Sequence, residues 1–280
     1  MRESAVHAQK HIDFVEVDGV RLRVSIEGTG PGRPLLLLNG IGAGLELFAP
    51  FRAELPNVET IAVDVPGTGG SAATVLPWRL RGLARLLDRL LGVLGFGQVD
   101  VLGISWGGTL AQELAFRHPR RVGRLVLAAT TPGWISVPGR LEAMMILATP
   151  RRYTSPTYFA KVAPILYGGA ARDRPELLRA QGHLRFVRPP SLRGYLWQLA
   201  AVAFWSSLPW LRRLRQPVLV LAADDDPIIP MANARLIAWC LPDASVEVVH
   251  RGGHLFLLTH AEEVAPRIAA FLAAGWPPTS

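Results

Sequence analysis

A chain of 280 residues, half of them apolar, is long enough to bury roughly three quarters of its unfolded surface in one large domain, and no second domain is needed. The net charge of +8 does not point to nucleic acid, because Lys10 and Lys161 are the only lysines and the arginines are scattered in runs no longer than two. Cys240 is the sole cysteine, which excludes an intramolecular disulfide; it is expected to be a buried helix residue.

The first stretch, Met1 to Asp18, is polar and has no apolar core, so no secretory leader is expected and the default location is cytoplasmic. Phe14 to Val17 and Leu22 to Glu27, joined by Asp18-Gly19, read as a hairpin. Buried parallel strands are expected at Leu35 to Leu38, Thr60 to Val63, Val99 to Ile104, Leu125 to Ala129, Val218 to Ala222 and Val246 to Val249. Helices are expected at Pro77 to Leu94, Thr109 to Phe116, Pro230 to Trp239 and Ala261 to Ala273. This alternation predicts an α/β fold, a mostly parallel twisted sheet flanked by helices. Some 85 residues separate the strand ending near Ala129 from the one starting near Val218, far more than a crossover helix needs. They read as a helical cap over residues 132–216, inserted into a core of 1–131 and 217–280. The uncharged part of that run, Gly194 to Leu211, contains Gln198, Ser206, Ser207 and Pro209, which argues against a transmembrane segment. The aromatic residues of the cap pack inward or form the mouth of an apolar site; Met144, Tyr167, Trp197 and Trp205 are the residues expected at such a mouth.

Gly103-Ile104-Ser105-Trp106-Gly107 lies between an apolar strand and a helix, the setting of a nucleophile elbow. A serine hydroxyl is a weak nucleophile, so Ser105 needs a histidine base and a carboxylate that orients the base. In the chain order serine, acid, histidine the base belongs after the last strand, where Arg251-Gly252-Gly253-His254 supplies His254; His250 and His260 are its rivals. The acid belongs after Val218 to Ala222, in the run Asp224-Asp225-Asp226. Asp226 is preferred because Pro227 and Pro230 stiffen its loop, and its neighbours read as turn or cap residues. Two backbone donors are needed for an oxyanion. Trp106, next to the nucleophile, and Ile41, in the loop Asn39-Gly40-Ile41-Gly42, are the choices. A second glycine-rich loop, from Asp64 to Ser71, lacks the ending of a phosphate-binding loop, so no nucleotide is expected. Neither a cofactor nor a metal is expected.

Taken together, the strings NGIGAGLELFAPF, DVPGTGGS, GISWGGTLAQELA, ATPRRYTSPTYFAKVAPILYGG, DDDPIIPMANARLIAW and GGHLFLLTHAEEVAP resemble the intracellular medium-chain-length polyhydroxyalkanoate depolymerases, from about Ile12 to Phe271. The resemblance implies an α/β-hydrolase fold and a triad at Ser105, Asp226 and His254. It also implies a serine esterase at the surface of cytoplasmic polyester granules that cleaves polymers of 3-hydroxy fatty acids. Ala223 stands where that family usually has glycine, and His250-Arg251-Gly252-Gly253 replaces a more acidic approach to the histidine. Two other readings stay open: a small-molecule carboxylesterase or carbon-carbon bond hydrolase of the same fold, and a granule-binding protein without catalysis. A polyester synthase would carry cysteine at the elbow in place of Ser105.

Overall fold

The structure, a computed structural model, describes residues 11–274; the expectation of no secretory leader falls mostly on residues outside that range. Eight strands form one sheet: β1 (His11–Val17), β2 (Val20–Glu27), β3 (Leu35–Leu38), β4 (Thr60–Asp64), β5 (Val99–Ile104), β6 (Val122–Ala128), β7 (Val218–Ala223) and β8 (Ala244–Val249). Their spatial order is β1-β2-β4-β3-β5-β6-β7-β8. Only β2 runs against the rest: it pairs antiparallel with β1 and with β4, and every later pairing is parallel. The β1–β2 turn falls where the sequence puts it, with Asp18 and Gly19 both at positive φ (51° and 75°), as a two-residue hairpin turn of this hand requires.

Alternation along the strands divides the core into two layers. Leu36, Leu38, Val101, Leu125, Leu127 and Val220 face one layer, with helices Leu80–Val93, Trp106–Arg117 and Met231–Cys240. Leu35, Leu37, Leu102, Val126, Leu219 and Leu221 face the other, against Phe48, Phe51, Val264 and Ile268. The Leu80–Val93 helix shows why it forms: its buried residues Leu80, Leu83, Leu87, Leu90 and Leu91 recur on one face at three- and four-residue spacing, and Gly95 at φ 80° ends it. Cys240 is buried at the end of its helix.

The structure moves several boundaries. β6 begins at Val122 rather than Leu125, because the polar-looking Gly123-Arg124 is strand: the Arg124 amide donates to Asp100 Oδ1 (2.7 Å) and its guanidinium to the Leu272 carbonyl (3.1 Å). The elbow helix starts at Trp106, directly after the nucleophile candidate. A short 3-10 turn, Leu45–Phe48, and the helix Ala49–Ala53 were not visible in the pattern.

Between β6 and β7 the chain forms seven helices in succession, from Leu141–Leu147 to Leu192–Val202. They lie on the side of the sheet where the parallel strands end, the edge at which open α/β sheets build sites. The run Gly194 to Leu211 is part helix and part turn, and among the described residues no helix is long and apolar enough to cross a membrane.

Candidate active site

Ser105 sits between β5 and its helix at φ 55°, ψ −120°, a strained backbone that thrusts the side chain out of the turn. The turn is possible because nothing larger than hydrogen fits at its flanks. A Cβ on Gly107 would lie 2.1 Å from the Leu38 carbonyl oxygen, and one on Gly103 would lie 2.4 Å from the carbonyl oxygen of Gly107. Both obstacles are backbone. Gly107→Ala is therefore expected to destabilise the protein by about 1–3 kcal/mol, read by urea unfolding, and to lower turnover by displacing Ser105.

His254 follows β8 and is nine-tenths buried or more. Its Nε2 lies 3.0 Å from Ser105 Oγ and its Nδ1 lies 2.7 Å from Asp226 Oδ2. The ring is held from behind: the His254 amide donates to the Tyr167 carbonyl (2.8 Å), and the Tyr167 ring stacks on the imidazole at 6.4 Å and 13°. The other oxygen of Asp226 accepts the amides of Ile228 (2.8 Å) and Ile229 (3.0 Å), which fixes the carboxylate with Oδ2 aimed at the imidazole.

The rivals have other partners. Asp224 meets the exposed His250 (3.1 Å). Asp225 accepts the amide of Gly169 (2.8 Å), at the start of a helix, and pairs with Arg172 (2.7 Å). His260 lies beside Thr259 Oγ1 (2.9 Å), and burial pushes its pKa down. The structure thus brings together Ser105, Asp226 and His254.

The loop after β3 lies against the nucleophile, and a Cβ on Gly40 would be 3.5 Å from that of Ser105. The Gly40 amide is tied to Asn39 Oδ1 (2.9 Å) and the Gly42 amide to Gln198 Oε1 (2.7 Å), while the Ile41 carbonyl accepts the Tyr153 hydroxyl (2.8 Å). Ile41's own amide, between them, meets no acceptor among the described residues, and neither does that of Trp106. Two free donors flank Ser105, which is what an oxyanion requires. The loop from Asp64 to Ser71 is taken up by its own carboxylate: Asp64 accepts the amides of Leu45 (2.7 Å) and Gly70 (2.7 Å) and pairs with Arg23 (3.2 Å).

A narrow cavity, with about 60 Å³ of room for the centre of a water-sized sphere, opens at Ser105 and His254, lined chiefly by apolar groups, among them Ile41, Leu47, Leu147, Tyr153, Tyr167 and Ile228. Of the four cap side chains expected at its mouth, Tyr167 lines it and three do not. Trp197 and Trp205 turn their indoles to the sheet domain, donating to the Thr74 carbonyl (3.0 Å) and to Glu113 (2.8 Å), so they fasten the inserted helices instead of meeting a substrate. Met144 is 43% exposed and is not among the residues that line the cavity.

Missed from the sequence were two arginines that line the same cavity, Arg152 and Arg185. The string Arg151-Arg152-Tyr153 could have suggested one of them, had a charged pair in an apolar segment been read as inward. Arg152 is buried and donates to the Thr149 carbonyl (3.1 Å) and the Tyr195 hydroxyl (2.7 Å), and reaches the Ile41 carbonyl at 3.4 Å.

Burial pushes the Tyr195 phenol up to about 12, against the pull of Arg152. An unfolded tyrosine ionises near pH 10, so this contribution to stability is full below that pH and is lost as the pH rises through the folded value. Wild type is expected to lose about 2 kcal/mol more than Tyr195→Phe between roughly pH 9.5 and 12, measured by denaturant unfolding.

A family model described as alpha/beta hydrolase fold matches residues 33–261 of the chain. A poly(3-hydroxyalkanoate) depolymerase of Ectopseudomonas oleovorans is 48% identical over 92% of this chain and 91% of its own length. A 2-hydroxy-6-oxononadienedioate/2-hydroxy-6-oxononatrienedioate hydrolase of Burkholderia vietnamiensis is 30% identical over 97% of this chain and 99% of its own. Among solved structures, the enol-lactonase from Burkholderia xenovorans superposes with a TM-score of 0.80 at 22% identity, over 94% of this chain and all of the other, a likeness of fold.

Proposed function

Since the chain belongs to the alpha/beta hydrolase fold family, we propose that it is a serine esterase that cleaves the ester bonds of medium-chain-length poly(3-hydroxyalkanoate) through an acyl-enzyme. The observation that carries the reading is the relay from Ser105 Oγ through His254 to Asp226, at 3.0 and 2.7 Å, opening on an apolar cavity. The substrate class comes from the relative that is 48% identical.

In this mechanism His254 Nε2 takes the proton of Ser105 as Oγ attacks the ester carbonyl. The amides of Ile41 and Trp106 hold the oxyanion. His254 gives that proton to the departing alkoxide oxygen, which leaves as an alcohol, and then activates the water that releases the acyl group. Asp226 keeps the Nδ1 proton in place and stabilises the imidazolium. The inserted segment 132–216 acts as a cap on the core of 1–131 and 217–280. The cavity accommodates an alkyl side group, while Trp134, Ile135, Leu141, Met145 and Phe204, all exposed, suit an apolar granule in the cytoplasm.

A second reading is favoured by the 30% identity, over nearly the whole chain, to a 2-hydroxy-6-oxononadienedioate/2-hydroxy-6-oxononatrienedioate hydrolase. Emulsions of medium-chain and short-chain polyester separate the two. Clearing of the medium-chain emulsion is expected. Clearing of neither, with rapid consumption of a 2-hydroxy-6-oxo-dienoate, would replace the esterase reading with the carbon-carbon one.

A further inference from the structure

Arg185 has an unusual position for a cation. It is 4% exposed, lies in the short helix Leu184–Val187 and lines the cavity that holds Ser105 and His254. Its guanidinium lies over three rings, at 4.8 Å from the centroid of Tyr153, 5.0 Å from Phe159 and 5.3 Å from Tyr167. Among the described residues it makes no hydrogen bond and no ion pair. Arg152, the second cavity arginine, also lacks a carboxylate and has a buried Nε without a partner. Taking a charge out of water costs several kcal/mol unless something compensates it. Ring faces compensate in part and orient the planar group, yet they consume none of its five N–H donors. A guanidinium held this way is preset for a bidentate anion, and a carboxylate matches its fork.

We infer that Arg185 is the anchor for a free carboxylate on the substrate. The inference rests on the esterase reading above and names the end of the polymer that is used. A linear polyester of hydroxy acids has one hydroxyl end and one carboxylate end. The fragment acylated onto Ser105 carries the hydroxyl end, so the free carboxylate belongs to the unit whose hydroxyl departs. The enzyme therefore works from the carboxylate end and releases a single 3-hydroxy acid as the leaving group, while the remaining chain stays on Ser105 until water frees it. Tyr167, stacked on His254 and lying under Arg185, links this anchor to the base.

The test compares the dimer of 3-hydroxyoctanoate as free acid with its methyl ester, and uses p-nitrophenyl octanoate as a plain ester. Wild type should hydrolyse the acid with a kcat/KM at least about tenfold above the methyl ester, the difference residing in KM, as expected for one charge-assisted pair. Arg185→Met should bring that ratio to about one, and Arg185→Lys should retain part of it. A wild-type ratio near one overturns the inference without reference to any variant, as does a ratio that survives in a folded Arg185→Met. If wild type hydrolyses p-nitrophenyl octanoate but does not discriminate, the carboxylate anchor alone is wrong; if it hydrolyses neither dimer nor chromogenic ester, the esterase reading falls and the anchor with it.

Discussion

Ser105→Ala is expected to lower ester turnover by a factor on the order of a million in kcat. The magnitude follows from how the group is used. In the proposed mechanism Oγ is the atom that forms the covalent bond, and in the variant water would have to attack directly, without a nucleophile preset 3.0 Å from its base. The residue left over in such a variant still has the two amides of Ile41 and Trp106 and the cavity, so a small rate above the uncatalysed one remains. Stability should change little, because among the described residues the only hydrogen bond of the hydroxyl is to His254, and alanine meets the same positive φ that serine meets. The measurement is hydrolysis of a chromogenic ester beside a thermal unfolding curve: loss of rate with the midpoint retained is expected, and rate within tenfold of wild type would remove Ser105 from the mechanism.

Asp226→Asn should cost about four orders of magnitude in kcat with the fold intact. One carboxylate oxygen of Asp226 accepts the amides of Ile228 and Ile229, so in asparagine that place belongs to the carbonyl oxygen. The side-chain amide group is then forced onto His254 Nδ1, where the aspartate oxygen now lies at 2.7 Å. An N–H donor facing Nδ1 makes that nitrogen the acceptor and sends the ring proton to Nε2, towards Ser105. The base would present a proton where it has to take one. Asp224→Asn and Asp225→Asn, whose carboxylates face His250, Arg172 and Gly169, should leave kcat within about threefold. If all three variants lose activity alike, the loop is being disrupted as a whole and Asp226 has no special part.

What could be read from the chain divides along physical lines. Strands buried on both faces announce themselves as apolar runs, and a nucleophile elbow has a spacing imposed by sterics, so Ser105 and the sheet were legible. Asp226 and His254 were legible because each follows a strand whose end lies at the same edge. The insertion between β6 and β7 was legible from its length, but the orientation of its side chains was not. An aromatic residue reads the same whether it faces a cavity or a neighbouring helix, and only the hydrogen bonds of Trp197 and Trp205 show which way they turn. Arg152 and Arg185 were hidden for the opposite reason. Arginine is ordinarily a surface residue, and nothing local marks one such as Arg185, enclosed by the rings of Tyr153, Phe159 and Tyr167 from earlier helices. Arg124 displaced a strand boundary in the same way, being polar in sequence and satisfied in the fold.

Acylation of Ser105 is read most directly from the mass of the intact protein, quenched in acid within milliseconds of mixing with p-nitrophenyl octanoate. An octanoyl adduct on one residue is expected, mapped by digestion to the peptide that contains Ser105, together with release of p-nitrophenolate ahead of octanoate and no adduct in Ser105→Ala. Hydrolysis at full rate with an unmodified protein at every time, or an adduct on any residue other than Ser105, would contradict it.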